Sequence, residues 1–391
     1  MERNWSDELL LALCTGDLGP AAQAHIAGLL AQSIDWPRLS ELAALHGVVG
    51  LARRKLVALE LQASVPAPAW QAMDAAATQI AFDAMLHLRE TASMAAALER
   101  AGIQPLLLKG QALADLLYDD PLIRPASDID LLVWRDEVET AQEALAAIGY
   151  APQSDQWLSR QLAHGYHISL GREVWPGRAV LLELHWDLGG RGLFGYDLAA
   201  WRSRSQPFVL SGAPAPLQRF SPEDQLLHLA LHMRKHRYVG LRWLVDVAEL
   251  LRRFQATLDW GYVTGAARQA GLTVLLHTSL ALARTLLAAP VDAAVLARLE
   301  PAAWRRKLLQ SLLSQAALLA PLEREDAGWT RLAPVEIALI DRPAGMAREL
   351  GYRLLPPPEA VLGVAAQEMS RGQRLVFQAR RLLDRGATMV E

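Results

Sequence analysis

Asp128 and Asp130 stand two residues apart in the segment Leu106 to Val133, LLLKGQALADLLYDDPLIRPASDIDLLV. A strand has period two, so the two carboxylates point to one face while Ile129 and Leu131 point to the other. Like charges that close repel each other. The arrangement is tolerable mainly when a hard cation such as Mg²⁺ or Mn²⁺ sits between them and brings phosphate oxygens with it. Upstream, Leu106 to Leu108 form a short apolar run, and Gly110 opens a helical stretch from Gln111 to Tyr118. Free backbone N–H groups at that helix start can receive a phosphate, and Lys109 adds a positive charge beside them. Together these residues fit the handling of a nucleoside triphosphate with metal.

A second polar face lies in Ala179 to Leu188, AVLLELHWDL, where period two puts Glu183 and His185 on one side and Leu182, Leu184 and Trp186 on the other. Further on, Ser221-Pro222-Glu223-Asp224 starts a helix, with Ser as N-cap, Pro at the first helical position and acids in the first turn. That helix carries His228, His232 and His236 at spacing four. An i, i+4 imidazole pair can bind a transition metal, but no carboxylate or Cys lies near it in sequence, and Arg234, Lys235 and Arg237 surround the third His. We therefore expect no zinc site, and expect His228 and His232 to face the catalytic cleft and contact phosphate or acceptor. The alternative is that they only pack helices.

LKG, Arg124 shortly before DIDLLV, and the later ELHW resemble the polymerase β-type nucleotidyltransferase superfamily, and within it a bacterial family of uncharacterised nucleotidyltransferases. Lys109-Gly110 stands where the superfamily has a Gly-Gly or Gly-Ser turn. The segment LLHLALHMRKHRYVGLRWLVDVAELL is similar to the same family's C-terminal half, with Asp246 in a Trp-Leu-Val-Asp setting. This resemblance implies metal ligation by Asp128 and Asp130, with Glu183 as the third carboxylate and Asp187 as the alternative in another register. It implies that Lys109 and Gly110 cradle the triphosphate, with Arg124 and His185 also on the nucleotide. Two Mg²⁺ (or Mn²⁺) ions would serve an in-line displacement at the α-phosphorus. Asp246 would orient a His or Arg, or form a plain salt bridge.

Around these residues, the pattern predicts an α/β (α+β) nucleotidyltransferase domain with a small mixed sheet, flanked by helical units. Residues 1–100 repeat apolar positions at helical spacing, as in Leu39, Leu42, Leu45 and Val49. Residues 101–215 carry short apolar runs at Pro105 to Leu108, Asp128 to Trp134, His167 to Leu170 and Val180 to Trp186, read as strands, with a helix from Glu137 to Ile148. The Pro- and Gly-rich loop Ser211 to Pro216 marks a boundary, 216–345 returns to helix, and 346–391 forms a basic helical tail. In that tail Gln373 to Arg385 interleaves Leu375, Val376, Leu382 and Leu383 with Arg374, Arg380 and Arg381. We expect it to pack on the body rather than meet membrane.

The 391 residues, 52% hydrophobic with formal net charge −3, can bury a large core and supply no overall basic field. Binding to long nucleic acid, and with it processive polymerisation, is not expected. A single cysteine, Cys14, excludes an intramolecular disulfide and a multi-Cys zinc site, which suits a reducing cytoplasm. Met1 to Glu8 is polar rather than a secretory leader. Leu272 to Val291 is broken by His277 and Arg284 and reads as a buried helix. Expected partners are an NTP and a small-molecule or peptide acceptor. Two other readings stay open: a glycosyltransferase that holds a nucleotide sugar through Asp-x-Asp, and a non-catalytic scaffold of the same fold.

Overall fold

The strand that carries Asp130 is buried along its whole length, and the rest of the sheet follows from its neighbours. In the computed structural model, β2 (Ile129–Leu132) pairs in parallel with β5 (Arg178–His185) on one side and antiparallel with β1 (Leu106–Leu107) on the other. Adding β3 (Ala151–Pro152), β4 (His167–Trp175), β6 (Gln206–Phe208) and β7 (Leu217–Arg219) gives a seven-stranded mixed sheet in the order β3-β4-β5-β2-β1-β7-β6. The structure describes residues 4–153, 165–189, 192–238, 240–319 and 333–354, with isolated residues among 158–162 and 369–376. The amphipathic tail expected from Gln373 to Arg385 falls largely outside the described residues.

Four of these strands coincide with the apolar runs. The other three were not expected, because two or three residues, with Pro152 or Pro207 among them, make no readable alternation. β7 pairs with β1 and β6, so the sheet runs on to Arg219. The β4–β5 hairpin turns through Pro176 and Gly177, the latter at φ 77°, a left-handed value that costs glycine nothing.

Helices supply both supporting layers. The N-terminal helices α1 (Trp5–Leu13), α2 (Pro20–Leu30), α3 (Trp36–Leu45) and α4 (Val49–Ala58) lead into α5 (Ala67–Arg100), 34 residues and about 50 Å long at 1.5 Å per residue. Then come α6 (Gln111–Leu117), α7 (Val138–Ala146) and α8 (Leu198–Ser203) within the sheet region. After the sheet follow α9 (Pro222–Lys235), α10 (Leu241–Phe254), α11 (Trp260–Ala270) and α12 (Thr273–Leu287). Ser221 caps α9 as expected, accepting from the Asp224 amide, with Pro222 in the first turn.

Two apolar cores result. One joins Leu10, Leu42 and Leu56 of the N-terminal helices to Leu229, Leu250 and Leu276 of the C-terminal ones, and takes Leu106 and Leu132 from the sheet. The two helical units flanking the sheet therefore share one interior. The other core packs Leu86, Met94 and Leu98 of α5 and Leu145 of α7 against Ile129, Leu131, Leu182 and Leu184. Each of these fully buried side chains contributes about 1.5–3 kcal/mol relative to exposure. Cys14 sits in the first core, where burial pushes its thiol up to about 12. Among the described residues no helix is long and apolar enough to cross a membrane, and Leu272 to Val291 contains the buried α12.

Candidate active site

Strand register decides which carboxylates meet. In the parallel β2–β5 pair, Asp130 lies opposite Glu183, and Leu131 opposite Leu184. Adjacent strands are about 4.8 Å apart and side chains alternate, so with the leucines in the core both acids must share the opposite face. Asp128, one residue before β2 begins, joins them: ligand oxygens of Asp128, Asp130 and Glu183 all lie within 4.8 Å of one another. Asp187 is elsewhere, accepting from the Tyr196 hydroxyl at 2.5 Å and from the Leu188 amide.

Basic side chains ring this cluster. Lys109 Nζ is 2.7 Å from Asp130 Oδ1. His185 Nε2 is 3.1 Å from Asp130 Oδ1 and 3.1 Å from Glu183 Oε2. Lys235 Nζ stands 3.5 Å from Glu183, and His167, the register partner of His185 on β4, stands 3.7 Å from it. These contacts split the carboxylates. Burial alone would raise Asp130, but Lys109 and His185 outweigh it and hold the group well below the usual carboxylate range. Glu183 falls to about 2, its burial overridden by His185 and Lys235. Asp128 moves the other way, raised by burial and by the Asp130 charge. Asp128 is thus the acid with most to gain from a divalent cation.

The turn before α6 is held in a conformation that glycine adopts readily. Gly110 has φ 57° and ψ −118°, where a Cβ would strain the backbone although the nearest atom to it would be 3.8 Å away. Its carbonyl accepts from Arg124 Nη1 at 3.4 Å.

Arg124 is buried, and its guanidinium grips Asp246 of α10, Nε at 2.9 Å and Nη2 at 2.7 Å. The Tyr118 hydroxyl donates to the same carboxylate at 2.9 Å. A guanidinium without water needs a carboxylate, and Asp246, 122 residues away in sequence, supplies it. The Arg124–Asp246 contact is a buried salt bridge, and it also fixes the orientation of the arginine. Arg124 braces the Gly110 turn.

His228 and His232 are both buried on α9 close enough to Lys109 to feel its charge. Burial first, and then Lys109, lower His228 to about 3 and drive His232 well down. Their rings form a file with Phe220, His236 and Trp243: His232 meets the Trp243 edge at 4.1 Å, and His236 stacks on it at 5.5 Å. His232 Nε2 is buried and has no hydrogen-bond partner among the described residues. The three histidines do not converge as a metal-binding group among those residues.

Three residues at the site were not anticipated. Lys235 lies seven residues after His228 and three after His232, so the same helical period that aligned the histidines could have found it. His167 could have been found only by pairing β4 with β5. His87, buried on α5 within reach of the Asp128 charge, has no sequence signal.

A family model described as an uncharacterised nucleotidyltransferase matches residues 32–288. No curated protein matches. Among solved structures, an antigenic nucleotidyltransferase-like protein from Paracoccidioides brasiliensis is similar at 17% identity and a TM-score of 0.32, covering 54% of this chain and 95% of its own.

Proposed function

The chain belongs to that uncharacterised nucleotidyltransferase family, and from this premise we propose that it moves a nucleoside monophosphate from an NTP to a hydroxyl of a small-molecule or peptide acceptor. The observation that carries the reading is the in-register pairing of Asp130 with Glu183, which gathers both with Asp128 on one face of the sheet. Three carboxylates offer the oxygen donors that Mg²⁺ or Mn²⁺ takes, and the raised Asp128 is the mark of a crowded acid that a cation would relieve. Bound by Asp128, Asp130 and Glu183, two such ions would neutralise the triphosphate and acidify the acceptor hydroxyl.

The chain's own residues divide the remaining work. Lys109 and the Gly110 turn bind the triphosphate, with Arg124 fixing the turn from behind. His185 holds Asp130 and Glu183 in place. The acceptor oxygen forms a bond to the α-phosphorus as the bond from that phosphorus to the bridging oxygen breaks. Pyrophosphate leaves with the electron pair, and the hydroxyl proton is released to the surrounding water.

Calorimetric titration of each NTP and of UDP-glucose with Mg²⁺, into wild type and the double variant Asp128→Ala/Asp130→Ala, tests this. Metal-dependent NTP binding that the variant loses is the expected result. Binding of the nucleotide sugar alone would move the case to glycosyl transfer, and binding of neither would leave a scaffold.

A further inference from the structure

Three of the cations near the carboxylates already hold an acid: Lys109 on Asp130 at 2.7 Å, Lys235 by Glu183 at 3.5 Å and Arg124 on Asp246 at 2.7 Å. Arg242, the second residue of α10, does not. Among the described residues it forms no ion pair, although it is half-buried and stands near the like charge of Arg124. A guanidinium so placed is stabilised by an anion. The rest of the side chain is held still. α10 begins against the end of α3, where the Leu241 amide donates to His46 Nδ1 at 3.3 Å and the Arg242 amide donates to the His46 carbonyl at 3.1 Å. The Arg242 stem passes Gly47, where a Cβ would come within 3.5 Å of its Cδ, and the guanidinium lies 4.1 Å from the centre of the Trp243 ring. Nη1 donates to the Pro125 carbonyl at 2.9 Å. That leaves Nη2, which is neither hydrogen-bonded nor buried. A charged donor on a fixed stem is pre-organised for a ligand.

Its place is beside the phosphate cradle. Pro125 opens the loop that leads to Asp128, and this loop lies against the Gly110 turn: a Cβ on Gly110 would stand 3.8 Å from the Asp128 carbonyl and 3.9 Å from Ala126 Cβ. Besides burial, the charges of Lys109, Lys235 and Arg242 lower His236 to about 4, as expected if the three cations border one space. We infer that Arg242 binds the pyrophosphate half of the donor, its free Nη2 donating to a phosphate oxygen. There it takes up the negative charge that the leaving group gains as the bond to the α-phosphorus breaks. The role in transfer rests on the nucleotidyltransferase reading, whereas the anion site rests on the missing counter-ion and the free donor.

The test titrates NTP with Mg²⁺, inorganic triphosphate with Mg²⁺, and Mn²⁺ alone into the full chain as wild type, Arg242→Gln and Arg242→Lys. Arg242→Gln should keep wild-type circular dichroism and bind both phosphates at least tenfold more weakly. It should bind Mn²⁺ alone as tightly as wild type or more tightly, because a cation near Asp128 has gone while Asp128 stays in place. Arg242→Lys, which keeps the charge, should bind both phosphates at least threefold more tightly than Arg242→Gln. A wild type that binds neither phosphate, or Arg242→Gln within twofold of wild type for both, would overturn the inference. So would a parallel loss of Mn²⁺ affinity, which would reduce Arg242 to a brace of the Asp128 loop. Triphosphate binding that Arg242→Gln loses, in a protein that binds no NTP, would support the anion site while sinking the catalytic reading. NTP binding that Asp128→Ala/Asp130→Ala loses and Arg242→Gln keeps would do the reverse.

Discussion

Removing the Asp246 carboxylate gives the sharpest test of how the site is supported. Its side chain is fully buried, as is that of Arg124, and it accepts three hydrogen bonds: two from the guanidinium and one from Tyr118. In Asp246→Ala the guanidinium keeps the Gly110 carbonyl at 3.4 Å as its polar partner and stays near a second cation, Arg242, which burial and the Arg124 charge already lower to about 10. An uncompensated buried charge costs about 3–5 kcal/mol, and the orphaned Tyr118 hydroxyl adds roughly 1 kcal/mol. The total approaches the whole stability of an ordinary domain, about 5–15 kcal/mol. Asp246→Leu combined with Arg124→Met removes both charges and should recover all but about 1–2 kcal/mol, because well-packed apolar replacements of buried ion pairs are near neutral. Urea unfolding followed by far-ultraviolet circular dichroism measures both. The double variant, though folded, should bind NTP at least tenfold more weakly, since nothing then braces the Gly110 turn. A loss below 1 kcal/mol in Asp246→Ala, or a double variant no more stable than the single, would refute the reasoning.

Three further outcomes follow from the same geometry. His228 is buried and lowered to about 3 from an ordinary value of 6.5, so its stability contribution is present above pH 6.5 and is lost as pH falls toward 3. At pH 5 His228 alone should cost about 2 kcal/mol, read in the urea midpoint against pH 7.5, and His228→Gln should shrink the pH 7.5-to-5 difference by about that amount while the other lowered histidines keep the remainder. Gly110→Ala forces a side chain onto φ 57°, ψ −118° and should cost roughly 1–3 kcal/mol in urea unfolding together with most NTP affinity; a variant with both intact would show that the turn is not needed. Lys109→Met removes the cation 2.7 Å from Asp130, so Mn²⁺ affinity measured by electron paramagnetic resonance should rise while NTP affinity falls at least tenfold. Parallel changes in the two affinities would contradict the assignment of Lys109 to the phosphates.

Local alternation and turn chemistry made much of the carboxylate-bearing strand pair legible. Ile129 and Leu131 had to go inward, so Asp128 and Asp130 had to go outward. The same parity set Glu183 with His185, and Lys109-Gly110 before a helix announced a tight turn. Ser221-Pro222 marked the start of α9 by capping chemistry alone. These are properties of a few consecutive residues, and sequence displays them directly. The short strands β3, β6 and β7 were invisible for the converse reason: two or three residues hold no period, and they are strands only because a neighbour offers hydrogen bonds.

What the chain's order of residues determined by itself is therefore the α/β class and the residue types at the centre. Which carboxylate completes the cluster was a matter of register. Pairing Asp130 with Glu183, and leaving Asp187 to Tyr196, depends on hydrogen bonds between strands separated by more than 40 residues. The role of Arg124 was decided the same way, because a guanidinium takes whichever carboxylate folding buries beside it, and that one lies on α10. Lys235 reaches Glu183 only once α9 is packed against the sheet, and His167 only once β4 pairs with β5. Long-range packing sets distances between charges, and charges act through distance, so the electrostatics of the site belong to the tertiary structure.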